Sequence, residues 1–259
     1  MKRVRKSEEV PERLARYVQR CPTDTWDHFH HRDRLGYRQV KQQIIEDQYG
    51  LCAYCEISIR LSGNEEEVDD FRVEHFHPKS GTECSRHNYH LDWYNMLGVC
   101  HGGSQPYVVE ARYRYTRNPA EHSCDVPKSG KHISGAILNP LEIPAETRLF
   151  KYDSFTGAME VDEGTCPRRL QHKARRTIEE LNLNCNRLKR LRKAAIEVLE
   201  EQVDAMVGEG MAMEDAMAIL ARQMLDPGDN HRYAAFFTCI RWFLGDAAEA
   251  FLRERHYQV

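Results

Sequence analysis

Apolar residues recur along this chain at two spacings, and the spacing changes mark its elements. Val10, Leu14 and Tyr17 predict a helix over residues 7–19, closed by Pro22. Val40, Ile44 and Ile45 share one face of a helix over 34–48, and Gly50 stands where a helix stop belongs. Alternation predicts strands over 56–61 (EISIRL) and 70–75 (DFRVEH), with an acidic loop over 62–70 between them. The two strands are expected to form a hairpin ending on Glu74 and His75. Residues 88–99 (NYHLDWYNMLGV) read as a short helical or turn segment with Trp93, Met96 and Leu97 facing inward. No period is visible over 101–123.

A second hairpin is expected over 148–161, with Phe155, Thr156 and Gly157 near its turn. From Pro167 onward the pattern is helical. Leu170, Ala174, Ile178 and Leu181 mark one face. Leu188, Leu191, Ala195, Val198 and Leu199 mark the next, which runs to about Val207, with Asn184 or Asn186 as its cap. A shorter helix covers 213–225, the sequence from Asp226 to Asp229 is a turn, and a last amphipathic helix is expected over 231–255. The fold class is therefore α+β. A mixed half over 1–165 carries the chemistry, and a helical half over 166–259 supports it.

Composition adds little to that picture. The net charge of −3 argues neither for nor against a nucleic-acid partner. With 30% charged residues and a mean hydropathy of −0.69, the surface is polar, and no apolar run approaches the length of a membrane span. The opening MKRVRK lacks the apolar core of a signal peptide, so a cytoplasmic location is expected. Nine cysteines there should be mainly thiols, and an odd count excludes complete pairing within the chain.

Cysteine spacing changes the picture more. Cys52 and Cys55 (CAYCE) put two thiolates on one tight turn, and a structural Zn²⁺ needs four soft ligands in a tetrahedron. Cys100 and Cys124 are the candidates for the other two, and His101 could replace one of them. Buried thiols or a redox-active pair at Cys52 and Cys55 are the alternatives. Cys84, Cys166, Cys185 and Cys239 read as ordinary core or surface residues.

The stretch RVEHFHPKS over 72–80 carries the candidate chemistry. Hydrolysis of a phosphodiester needs a base for water, positive charge against the developing anion, and a held phosphate. His75 is the candidate base. Glu74 offers a hard oxygen to Mg²⁺ or Mn²⁺, and Asp125 offers a second. The Asn95 amide can fix the loop and orient His75. Lys79 and Lys128 can touch a phosphate. Tyr107, Tyr113 and Tyr115 interleave with Arg112, Arg114 and Arg117, a mix suited either to bases and phosphates or to a solvated cover for the zinc site. Ten basic residues crowd 168–193. Arg168, Arg169, Lys173 and Arg176 among them are candidates for a nucleic-acid backbone, with a solvated helix face as the alternative.

In order, CAYCE, VEHFHPKS, DWYNMLGVCHGG, SCDVPKSGK, AILNPLE and IEELNLNCNRL resemble the HNH endonuclease superfamily. Within it they are most similar to the PtuB nuclease subunits of Septu-type and retron-associated anti-phage systems. The likeness runs from the first residues to about Arg192. It implies a zinc-stabilised ββα-metal core. It also implies metal binding by Glu74 and Asp125, a general base at His75, positioning by Asn95, and an ABC/SMC-type ATPase partner like PtuA. Two departures stand out: Glu74 where the superfamily more often has Asp, and an insertion between Cys100 and Cys124. His77 is a further candidate ligand. DNA or tRNA would be the target. The competing reading is a non-catalytic, zinc-stabilised nucleic-acid-binding or adaptor module.

Overall fold

The structure is a computed structural model describing residues 1–63, 68–79 and 87–258. Ser80 of the candidate motif, Cys84, and the middle of the acidic loop lie outside the described residues. Three helices open the chain: α1 (Glu12–Arg20), α2 (Trp26–Arg32) and α3 (Arg34–Asp47). The sequence WDHFHHR holds only two apolar residues, Trp26 and Phe29, too few for a helical period to stand out, so the apolar pattern does not reveal α2. Its start is made instead by a capping box, in which Thr25 Oγ1 accepts from the His28 amide and His28 Nδ1 accepts from the Thr25 amide. Asp33 then separates α2 from α3, accepting from the Gly36 amide at 2.9 Å.

The central sheet corrects the expected hairpin. Strand β1 (Phe71–His75) pairs antiparallel with β2 (Met96–Cys100), not with residues 56–61, and His75 faces Met96. Residues 56–61 form no strand. They contribute one isolated bridge, Leu51 to Ser58. Their backbone groups are spent on the turn around the CxxC: Cys52 N–H donates to the Ile57 carbonyl, Glu56 N–H to Cys52, and Ile59 N–H to Gly50. The alternation in EISIRL reflects the burial of Ile57 and Ile59 rather than a ladder.

The segment over 88–99 also differs from expectation. Only Trp93–Asn95 makes a short 3₁₀ turn, and the apolar run after it is β2. Every residue of β2 is buried, so it shows no alternation. Gly98 lets α3 approach that closely, because a Cβ there would sit 2.6 Å from Ile44 Cγ2. The Gln48 side chain fills the remaining polar need. Its Oε1 accepts from the Gly98 amide, and its Nε2 donates to the carbonyls of Gly98 and Leu51.

Two single-turn helices follow, α4 (Ala111–Arg114) and α5 (Asp125–Lys128). The expected second hairpin is present as β3 (Phe150–Tyr152) and β4 (Met159–Val161), turned by Asp153 Oδ1 accepting from the Thr156 amide and hydroxyl. Four long helices complete the chain: α6 (Arg168–Glu180), α7 (Asn186–Gly208), α8 (Met213–Leu225) and α9 (Phe237–Glu254). The last begins later than its apolar pattern suggests, because Phe236 at φ 62 turns the chain into it. The larger apolar cluster takes in α3, β1, β2, α6 and α7, while a second joins α7, α8 and α9 through Leu199, Leu220, Ile240 and Leu244. No helix among the described residues is long and apolar enough to cross a membrane.

Candidate metal centre and active site

The CxxC turn, the end of β2 and the residue before α5 meet at four sulfurs. Cys52, Cys55, Cys100 and Cys124 are all buried, and their Sγ atoms lie within 4.8 Å of one another. Cys55 and Cys100 are 3.6 Å apart, Cys100 and Cys124 3.7 Å, and Cys52 and Cys124 3.9 Å. Bonds of ~2.3 Å from a tetrahedral zinc place sulfurs roughly 3.8 Å apart, whereas a disulfide needs about 2 Å. The four residues thus fit a structural zinc as a set.

His101 is not part of that set, since its Nε2 donates to the Asp69 carbonyl at 2.8 Å. Four thiolates around Zn²⁺ leave an excess of negative charge, and a buried arginine faces it. Arg187 donates from Nη2 to Ser123 Oγ at 2.7 Å. Burial works against its charge, but Cys100, Cys55 and Cys124 together hold the guanidinium above its usual range. Of the other cysteines, Cys166, Cys185 and Cys239 are buried thiols away from the cluster.

Glu74 and His75, at the end of β1, line a cleft of about 480 Å³ with Pro78, Lys79 and His90. His75 is buried, its ring edge-to-face against Trp26 with centroids 5.5 Å apart. Its Nε2 lies 3.0 Å from the His90 carbonyl. A carbonyl only accepts, so Nε2 carries the proton and Nδ1 carries the lone pair. Burial, helped by the charge of Lys79, pushes the His75 pKa down to about 3, so the ring is neutral at physiological pH.

Asn95 does not touch that ring. Its amide works on backbone: Oδ1 accepts from the His77 amide at 2.7 Å, and Nδ2 donates to the carbonyls of His77 and Tyr89. It thereby ties the segment after His75 to the segment that presents the His90 carbonyl. The exposed His77 ring packs on Phe76 and Tyr89.

Two carboxylates here are ion-paired: Glu74, in the wall of the cleft, and the buried Asp125. Glu74 Oε1 is 2.6 Å from Lys128 Nζ, and Asp125 is 2.6 Å from Arg72 Nε. Burial raises the Glu74 pKa despite Lys128 and Arg72. Burial likewise pushes Asp125 up to about 7, against the pull of Arg72 and with added repulsion from Glu74. The two acids therefore sense each other, although Asp125 does not line the cleft that holds Glu74 and His75. Among the described residues, the four cysteines are the one group of three or more His, Cys, Asp or Glu donors within reach of a single ion.

The candidate phosphate-binding residues separate into kinds. Lys79 lines the cleft. Lys128 is 1% exposed, with its ammonium on Glu74 and on the His75 carbonyl. Arg168 and Arg169 are exposed on α6, Lys173 is half-buried, and Arg176 is paired with Glu179 and Glu180. Arg192 is buried and donates to the carbonyls of Gly157 and Leu183. Sequence reasoning missed Arg72 and the His90 carbonyl, and it put Arg187 in the basic run over 168–193 rather than beside the sulfurs. Only Arg72 had a signal, being two residues before Glu74 and so on the same strand face.

No family model matches the chain. Over 212 residues it is 35% identical to an Escherichia coli protein named as an HNH endonuclease of retron Ec83, an alignment covering 74% of this chain and 78% of that one. The relative's name and the order of motifs around Cys52, Glu74-His75 and Asp125 agree. The chain belongs to the HNH endonuclease superfamily, in the family of the retron Ec83 nuclease, and is a nuclease.

Proposed function

We propose that the chain is a divalent-metal-dependent endonuclease that hydrolyses phosphodiesters of DNA, or of tRNA, as the effector of a retron-associated, Septu-like anti-phage system. An ABC/SMC-type ATPase like PtuA is its partner. The observation that carries the reading is the pairing of a neutral imidazole with a carboxylate on one cleft at the end of β1. β1, β2 and α5 are read as its ββα-metal core.

Glu74 and Asp125 would hold Mg²⁺ or Mn²⁺. Both are oxygen donors held by a cation, Glu74 by Lys128 and Asp125 by Arg72, and a metal ion would take over part of that role. One or two protein carboxylates suit an ion that keeps water and takes the rest of its shell from a phosphate. Bound there, the ion would supply Lewis acidity against the charge that develops on the phosphate. His75 takes the proton of water at Nδ1, with Nε2 fixed on the His90 carbonyl. Asn95 keeps that carbonyl in register. Lys79 meets the phosphate at the mouth of the cleft, and Lys128 balances Glu74 from beneath. Arg168, Arg169, Lys173 and Arg176 guide the backbone of the substrate.

The test uses purified protein, with and without a PtuA-like ATPase, on DNA and on tRNA with Mg²⁺ or Mn²⁺. His75→Ala is expected to lower the cleavage rate by roughly 10²-fold or more. Zinc content should be unchanged. Cleavage by the variant at the wild-type rate would end the assignment. Absence of cleavage by wild type with every metal, substrate and partner, alongside salt-sensitive binding, would favour the adaptor reading.

A further inference from the structure

The interleaved Tyr and Arg residues of the 101–123 insertion meet α7 across a second cavity of about 520 Å³ that shares no residue with the catalytic cleft. Its floor is apolar, made by Ile57, Leu191 and Phe236. Its rim carries Arg112 and Arg190, and Tyr113 stands at the edge, half exposed. The Arg112 guanidinium lies 4.4 Å from the centroid of the Tyr113 ring. Arg114 is neutralised by Asp70 and Glu110, but among the described residues neither Arg112 nor Arg190 has a carboxylate partner. Deeper in the wall, the buried Nε of Arg187 has no acceptor. Phe236 holds φ 62, a conformation in which an aromatic residue is strained, and so keeps its place in the floor at a cost.

An apolar floor with an aromatic edge and two unpaired guanidiniums has the chemistry of a nucleotide: a flat base and an anionic phosphate. The volume is that of a small-molecule site. A neighbouring cleft shares Ser58, Glu110 and Arg114 with it and adds Arg232 and an Arg60 that is paired with Asp70. Two adjoining clefts suit a strand lying across both rather than a free nucleotide. We infer that this cavity is an exosite that takes one unstacked nucleotide of a single-stranded or looped segment of the substrate, its base against Tyr113 and Phe236 and its phosphates on Arg112 and Arg190. The inference rests on nucleic acid being the substrate. It does not depend on which residues cut.

Binding is read without cleavage, by anisotropy of a labelled 12-nucleotide single strand on the full chain with no divalent cation added. The same strand as a blunt duplex and free AMP serve as the other arms. Tyr113→Ala and the pair Arg112→Ala/Arg190→Ala are each expected to weaken single-strand binding by roughly tenfold or more. Duplex binding should stay within about twofold. A photoreactive 4-thio base in the strand should crosslink to Tyr113 or Phe236. Unchanged melting temperatures would establish that the variants are folded.

Single-strand affinity within about twofold of wild type in both variants would overturn the exosite. So would AMP binding as tightly as the strand, which would make the cavity a free-nucleotide site. Dependence on the arginines without dependence on Tyr113 would also overturn it, as the mark of an anion site without a base. Failure here leaves the His75 assignment standing, and an active His75→Ala enzyme leaves the exosite standing.

Discussion

Lys6 illustrates how a single buried charge sets a measurable property of this chain. Its ammonium sits 3.2 Å above the Trp93 ring, buried and without a hydrogen-bond acceptor. Burial lowers its pKa to about 7, with Asp47 and Asp92 pulling it back up. The folded value is thus below the unfolded one of 10.5. Between those two values the unfolded chain binds the proton more readily, so folding becomes more favourable as pH rises through the window. Urea unfolding at pH 7 and pH 9 should show wild type gaining about 2 kcal/mol relative to Lys6→Met. Parallel profiles for the two proteins would mean that Lys6 is solvated. The same reasoning explains why His75, buried against Trp26, stays neutral, and why Asp125 resists ionisation even with Arg72 beside it.

Among the elements, the CxxC turn decides the most. It supplies two ligands, starts the segment that lies against β2, and receives a third ligand from the last residue of that strand. Removing one sulfur removes the ion that holds these pieces. Cys100→Ser should reduce zinc, measured by native mass spectrometry, from one ion per chain toward none, and lower the melting temperature by about 10 °C or more. Wild type that purifies without zinc, or a melting temperature left unchanged by the substitution, would contradict the site. The order of the cysteines and of Glu74, His75, Asn95 and Asp125 was legible because each motif is local in sequence. β2 was not legible as a strand, because burial on both faces erases alternation, and residues 56–61 imitated one because Ile57 and Ile59 alternate for packing reasons. Nor could the sequence reveal the His90 carbonyl: every residue has one, and only the fold selects which of them meets His75. α2 was missed because two apolar residues, Trp26 and Phe29, are too few to establish a period, although its cap was in plain view at Thr25 and His28.

At the scale of the molecule, the late helices are joined to the metal-binding turn through Glu56. This buried residue holds φ 63, and its carboxylate accepts from the amide and hydroxyl of Thr238 in the first turn of α9 while its carbonyl accepts from the Phe236 amide. A negative charge at a helix start is favourable, so the same turn that gathers sulfurs also anchors the last helix. Cys100 and Cys124 bracket the insertion and end 3.7 Å apart in the four-sulfur cluster. The twenty-odd residues between them therefore form a closed ring whose base stays fixed whatever its circumference. Exchanging residues 104–121 for a short Gly-Ser bridge should leave zinc content and cleavage of duplex intact while abolishing the preference for unpaired strands, as read by competition between the two substrates. Loss of zinc in that variant would mean that the ring helps to hold its own clasp. A nuclease built this way can change what it recognises by rewriting one loop, without disturbing the groups that cut.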